Sequence, residues 1–427
     1  MAAAALQTRP IRLAHALVGV AALALGLIVF SPPASAAAIG VTSVSTSGAP
    51  ASDSNGYSWV SYFRHLAGLG SVSRNPGFEA QEAVHVRYLA NHSLGCETNV
   101  HDELTNRAAG CGANPYATPG GKAAANNSDV TRVSAPVSDR AAVSNWFGAA
   151  FHALTLLDPR LTSTGYSAYY TPTPHGAGSL AWPFTAAVDV YRGRAGSYHG
   201  SIIAFPANHA TTPLLSYAIG TESPEPFATA TNTCHSWASK SLVSAPVIIQ
   251  WPLHTPTPTT GTLRDLSTAQ NLPTCTLNQN SYPTGSLARQ FLAGANGITH
   301  SAFYYAATPF TAGHTYRLTV NTRTITTFTA GALPSTMATS VTPATAAARL
   351  SWSTAHPGIG TVTTYHARLY TNPTCTGGAT RAIDTTPTSR TALFTRLTHH
   401  HTYYLKVAAR NTSGAYRWSP CRKVRAR

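Results

Sequence analysis

The stretch "NVHDEL", residues 99–104, sets His101 beside two carboxylates, Asp102 and Glu103, just after Glu97. The chain has only 14 acidic residues in 427, against 29 Lys and Arg. Two of those acids adjoining one imidazole bring together the groups that hold metal ions or move protons. In an extended segment, alternation would turn His101 and Glu103 to one side and leave Asp102 in the loop. A second acidic pair, Glu222 and Glu225 in "ESPEP", has the residue types for acid–base work at a glycosidic bond. Its prolines make it an extended loop, in which carboxylates three apart need not converge. No GxSxG elbow, HExxH helix, Walker loop or GxGxxG turn occurs. The absence of CxxC argues against a zinc ribbon and a thioredoxin-type centre.

Other elements must position these groups. Residues 1–36 carry Arg9 and Arg12, an apolar run from Ala16 to Phe30, and the small-x-small pattern Ala34-Ser35-Ala36. They read as a secretory signal peptide cleaved near Ala36. The run is short for a membrane span, and no later segment is apolar enough to be one. A secreted, extracellular or cell-wall-associated protein is expected, with a flexible Ala/Ser/Thr/Gly leader over 37–55. From Tyr57, Trp59, Tyr62, Phe63 and Leu66 recur at helical spacing. "NPGFEAQEAVHVRYLANHS" predicts a second helix capped by Asn75 with Pro76 in its first turn. A third helix is expected from Ser138-Asp139 toward His152, and "TGYSAYY" alternates like a strand. Residues 57–170 therefore read as an α+β unit, continued more loosely to 245. From Val247 the pattern is β, with "VIIQW" as a buried strand and a hairpin turning near Asn321-Thr322. Residues 246–332 are expected to form a β-rich extension or a small β domain. His85, His92 and His399 to His401 are expected at the surface or in loops.

Six cysteines, an even number in an exported chain, allow 15 pairings. Nearest-neighbour pairing joins Cys96 to Cys111, Cys234 to Cys275 and Cys375 to Cys421, which keeps each bridge within, or at the edge of, one segment. The first bridge would enclose "NVHDE".

Residues 333–427 carry the clearest β pattern. Leu350 and Trp352 alternate, as do Tyr365, Ala367 and Leu369, and Tyr403, Leu405, Val407, Ala409 and Asn411 fall at strict period two. With Leu397 six residues before Tyr403, as in a tyrosine corner, this segment resembles a fibronectin type III domain. The resemblance implies a β-sandwich with Trp352 and Tyr365 in its core, to which a Cys375–Cys421 staple would be an addition, since the usual module is unbridged.

The N-terminal unit carries "YFRHLAGLGSV", "EAVHVRYLANHS", "HDE" and "AVSNWFGAAFHALTLLDPRLTSTGY" in that order. The succession resembles the bacterial secreted branch of the CAP superfamily (cysteine-rich secretory, antigen 5 and pathogenesis-related 1 proteins). The resemblance implies an α-β-α sandwich whose cleft holds two histidines, which fall on His101 and His152. A family glutamate should fall near "AAANNSDV", where this chain has Asn126 and Asn127, so Glu103 becomes the expected carboxylate of the cleft. Such a pair would allow Zn²⁺ or another divalent metal on His101 and His152, although no cofactor is required by the pattern. The overall fold class is then α+β: a CAP-like domain over 56–245, the β-rich segment, and the terminal sandwich.

The function this implies is binding of a small apolar, lipid- or sterol-like, or metal-linked ligand at the cell surface or in the matrix. A metal-assisted hydrolase of cell-wall peptide or glycan is the first alternative. The second is adhesion to anionic polymers through the Arg-rich end "RWSPCRKVRAR". No motif for a specific nucleic acid accompanies these cations.

Overall fold

The computed structural model describes residues 55–91, 99–103, 115–133, 137–170, 184–198, 200–253, 260–294, 299–331, 337–355, 362–411 and 416–427. The expected signal peptide, nearly all of the leader, His92, Glu97, and Cys96 with Cys111 lie outside the described residues.

Helix α1 (Gly56–His65) begins at Asn55, whose side chain accepts the Ser58 N–H, and it buries Trp59, Val60, Tyr62 and Phe63. Helix α2 (Pro76–Ala90) begins as expected, with the Asn75 side chain accepting from Gly77 and Phe78. Helix α3 (Pro119–Ala125) stands in a Gly/Asn/Pro-rich stretch where no helix was expected. Thr118 caps it and Pro119 supplies its first turn. The third expected helix is two. Ala149 is extended (φ −97°, ψ 114°) and separates α4 (Asp139–Gly148) from α5 (Ala150–Leu156).

Strands Ser128–Val133, Phe184–Asp189 and Tyr166–Tyr170 form an antiparallel sheet with Phe184–Asp189 in the centre. The central strand is buried throughout. Phe184, Ala186 and Val188 join the cluster that includes α1 and α4. Thr185 turns the other way and donates to Val86 O of α2 at 2.9 Å. Asp189 pairs with Arg192, which also reaches Glu82 of α2 at 3.4 Å. Alternation thus gives this sheet helical cover on both faces.

Two further sheets follow. One has the order Thr274–Asn278, Thr299–Ala306, Val247–Pro252, Ile203–Phe205; the other has Gln270–Leu272, Gly261–Asp265, Thr315–Val320, Arg323–Ala330, Thr211–Thr212. The hairpin turn falls at Asn321 and Thr322, both at positive φ (47° and 67°), the backbone that a two-residue hairpin loop requires. The expected boundary at 245/246 cuts through both sheets, because Ile203–Phe205 and Thr211–Thr212 pair with strands beyond it. It separates no core either. One buried cluster contains Phe63, Phe147, Phe151 and Val188 together with Phe205, Ile248, Leu277 and Phe303. Phe151 of α5 sits edge-on to Phe303 at 5.1 Å and packs against Tyr282 and Phe291. Cys234 is bonded to Cys275.

Residues 337–427 have their own core, with Leu350, Trp352, Tyr365, Leu369, Leu405 and Val407 inside. Sheet Thr339–Ala344, Ala347–Trp352, Thr391–Thr395 faces sheet Arg381–Thr385, Val362–Tyr370, Thr402–Asn411, to which Tyr416–Trp418 and Arg422–Arg425 also pair. The Tyr403 hydroxyl accepts the Thr398 N–H at 3.1 Å, closing a tyrosine corner. Cys375 is bonded to Cys421, and His399 to His401 are exposed as expected. Among the described residues, no helix is long and apolar enough to cross a membrane.

Arg64, 1% exposed, ties the helical layer together. Its guanidinium donates to Gly70 O (3.0 Å), Leu156 O (2.5 Å), Asp158 O (2.9 Å) and Leu161 O (2.9 Å). Burial pulls its pKa down to about 10, and Asp158 offsets part of that. Arg64→Met would leave several buried carbonyls without a donor, so urea unfolding should show a loss on the order of 3 kcal/mol or more. A loss within the range of an ordinary surface substitution would contradict the clamp.

Candidate functional site

A cleft of about 550 Å³ opens between α5, strand Ser128–Val133, helix Leu287–Leu292 and the segments at 99–101 and 223–224. Its polar side holds His101, Asn126, Ser128, Asp129, His152 and Thr155. Its apolar side holds Phe151 with Leu287 and Phe291 of helix α6 (Leu287–Leu292), beside Ser223-Pro224. Leu287 is 56% exposed, a large apolar side chain at the surface. Three residues that the sequence singled out, His101, Asn126 and His152, therefore line one cavity. Glu103 does not.

The segment around His101 is a turn and not a strand. The Asn99 side chain accepts the His101 N–H at 2.9 Å, and Asn99 O accepts the Asp102 N–H at 3.2 Å. The alternation argument fails for that reason. Glu103 turns into the protein, 1% exposed, with Oε1 2.7 Å from His85 Nδ1 and Oε2 accepting the Thr118 N–H at 3.2 Å. Gly121 leaves room for this carboxylate, since a Cβ there would collide with it. His85, expected at the surface, is fully buried on the inner side of α2 and stacks on Tyr88. Asp102 stays in the loop, 3.5 Å from Lys122 Nζ.

His101 lies at an exposed position, with Nδ1 3.0 Å from Ala125 O. A carbonyl only accepts, so Nδ1 carries the hydrogen and Nε2 of the neutral ring is left as an acceptor. Partial desolvation lowers its pKa, and His85 and His152 add to that, while the Ala125 hydrogen bond opposes them. His152 is shifted the other way. Burial alone would lower its pKa, but Asp129 and Glu222 outweigh that and raise it. Its Nδ1 lies 3.3 Å from Glu222 Oε2. Glu222 accepts the backbone N–H groups of Ala150 (2.9 Å) and Phe151 (3.0 Å) at the start of α5. Burial raises the Glu222 pKa, with His152 and the two amides working against it. Burial also pushes Asp129 up to about 6, against the pull of His152 and of the Thr155 hydroxyl, which donates to it at 2.6 Å.

Sequence reasoning missed Asp129 as a site residue and missed the destination of Glu222. Its pairing with Glu225 does not form an acid–base couple. Glu225 instead caps the next turn, accepting from Phe227 N (2.8 Å) and Ala228 N (2.6 Å). The scarcity of acids was the available signal, because a carboxylate in so basic a chain has a partner to meet.

Zinc is held by three or four protein ligands. Among the described residues, no group of three or more His, Cys, Asp or Glu is arranged to hold a metal ion. Each cleft histidine turns Nδ1 to a protein oxygen, an orientation that leaves Nε2 as its ligating nitrogen, so the pair offers two nitrogens and no third grouped ligand. Among the described residues the donor set falls short of the three protein ligands of a zinc site.

The model of the family "Fibronectin type III domain" matches residues 332–425. Those residues are a fibronectin type III domain. The chicken CNTN1 FN1-FN3 domains are similar over 43% of this chain and 62% of theirs, at 11% identity and a TM-score of 0.21. The sixth fibronectin type III domain from human fibronectin type III domain containing protein 3 is similar over 22% of this chain and 85% of its own, at 22% identity and a TM-score of 0.19. Pectate lyase Pel3 from Pectobacterium carotovorum is 16% identical over 21% of this chain, with a TM-score of 0.19, and the match spans 27% of that enzyme. Scores this low carry no functional argument. No curated protein matches the chain significantly. The two disulfides and the fibronectin type III domain are compatible with an extracellular protein.

A pH dependence follows from the buried acids. Ser128 in the cleft donates to Glu82 Oε1 at 2.6 Å. Burial pushes Glu82 from 4.5 up to about 8, with the Ser128 hydrogen bond opposing. Between those values the native protein holds a proton that the unfolded chain has released, so stability falls as pH rises through the window. The raised Asp129 and His152 act with the same sign. Urea unfolding of the wild type should show stability declining from about pH 4.5 to 8, and Glu82→Gln should flatten that decline. An unchanged slope in the variant would refute the assignment.

Proposed function

We propose that this chain is a secreted, CAP-like protein that binds a small amphipathic ligand in the cleft between α5, α6 and strand Ser128–Val133. The observation that carries this is the mixed polar and apolar lining. Neutral His101 offers an acceptor, and His152, held between Asp129 and Glu222, favours the cationic form. The pair suits a hydroxyl or carboxylate head group. Phe151, Leu287 and Phe291 suit an apolar body. The CAP-like part of the reading is supported by the order of capped helices and strand along 57–170, and by a cleft in which His101 and His152 both stand.

Extraction of the purified full chain followed by mass spectrometry would identify a retained ligand. A dansylated fatty acid serves as a direct probe and should bind saturably. Burying one Leu or Phe side chain contributes roughly 1.5–3 kcal/mol, so the double variant Leu287→Ser/Phe291→Ser should weaken the probe about tenfold or more. His152→Gln should weaken it chiefly below the pH at which the wild-type imidazole loses its proton. The absence of saturable binding, or equal affinity in the double variant, would overturn the reading.

One observation favours a second reading, hydrolysis of cell-wall peptide or glycan without a bound metal. His152 stands between two buried carboxylates whose pKa values are raised, the arrangement that acid–base catalysis uses. Turnover of purified cell wall by the full chain, abolished in Asp129→Asn, would establish it; equal background from wild type and variant would dismiss it.

A further inference from the structure

The positive charge of the chain is unevenly placed. Residues 333–427 hold 12 of the 29 Lys and Arg but a single acid, Asp384. Asp384 is already engaged, 2.6 Å from Arg368 and 2.9 Å from His366. No other acidic side chain occurs in this domain to neutralise its remaining cations.

Several of those cations share one edge. Strand Thr339–Ala344 of one sheet runs beside strand Arg422–Arg425 of the other, and a groove of about 360 Å³ lies along them. Val341 and Pro343 give it aliphatic surface, while Lys423, Arg425 and Arg427 line it with charge beside the His400 imidazole. Alternation produces this: Val424 and Ala426 turn inward, 5% and 1% exposed, and the three cations turn out. Cations two residues apart on a strand repeat at roughly 6.5 Å. Two hydrogen bonds steady the edge. Arg425 Nε donates to His400 O at 3.0 Å, and Arg422 Nε donates across to Thr339 Oγ1 at 3.1 Å.

We propose that this groove binds a linear polysaccharide bearing carboxylates, with the acid groups on Lys423, Arg425 and Arg427 and the sugar rings against the aliphatic surface. A row of evenly spaced cations complements a polymer with evenly spaced anions, and guanidinium matches carboxylate geometry. The groove lacks a Phe, Tyr or Trp ring on which a nucleobase would stack, and its one ring is the smaller imidazole of His400. It also lacks a large exposed apolar side chain to enter a membrane. The site uses none of the residues of the cleft, so either proposal can fail without the other.

The test uses the full chain and polygalacturonate, with single-stranded DNA, anionic vesicles of phosphatidylglycerol and neutral dextran as comparison ligands. The variant Lys423→Gln/Arg425→Gln/Arg427→Gln removes three groove charges. Arg264→Gln/Arg317→Gln/Arg349→Gln removes three exposed charges elsewhere and serves as the matched control. At low salt, polygalacturonate should bind, dextran should not, and the groove variant should lose at least tenfold in affinity while the control loses less than twofold. Salt should weaken wild-type binding more steeply than that of the groove variant. Equal losses in both variants would replace the groove with undirected charge attraction. Tighter binding of DNA or vesicles than of polygalacturonate, or no binding of polygalacturonate, would overturn the assignment. Unchanged thermal unfolding of both variants confirms that the losses are not due to misfolding.

Discussion

Helix α5 is seven residues long, too short to persist on its own in water, yet it carries His152 and one wall of the cleft. It persists because both of its ends are held by charge. The Glu222 carboxylate takes the first free amides, Ala150 and Phe151, and the Arg64 guanidinium takes the last carbonyls from Leu156 onward. An anion at the positive end and a cation at the negative end oppose the two poles of the helix dipole. Phe151 then fixes the helix sideways against Phe303. The rest of the cleft geometry depends on these contacts, since the same Glu222 that caps the helix also lies against the imidazole.

The shortage of acids in the sequence has a structural meaning. Of the 12 acids among the described residues, seven are buried: Glu82, Glu103, Asp129, Asp158, Asp189, Glu222 and Asp265. Each has a polar partner, as buried carboxylates must. Asp158 binds Arg160 and Arg194, and Asp265 binds His314. The acids thus serve the interior, and the surface is left basic by subtraction as much as by an excess of arginine.

What was legible in the sequence followed distance along the chain. Caps at Asn75 and Ser138 act within three residues and were readable, as was the period-two pattern of 402–411 with its tyrosine corner. His101, Asn126 and His152 were located through an ordered pattern, although that pattern gave no hint of the opposite wall. Glu222 meets His152 across 70 residues, and Leu287 and Phe291 come from a helix more than a hundred residues downstream. No local spacing encodes such meetings. Glu103 was misplaced by a nearer cause: the Asn99 turn removed the extended backbone on which the alternation argument rested. His85 was misplaced with it, because its burial makes sense only once Glu103 is its partner.

The continuous buried cluster running from α1 through the second pair of sheets bears on what can be transplanted. A fragment ending near 170 would keep both cleft histidines yet lose Glu222, and with it the amide cap of α5; it would lose the Leu287 and Phe291 wall as well. The smallest portable piece that preserves the cleft is the whole span from Asn55 to Gly331. The fibronectin type III domain obeys a different rule. Its core belongs to itself, so it can be grafted onto an unrelated protein, and its basic groove would travel with it.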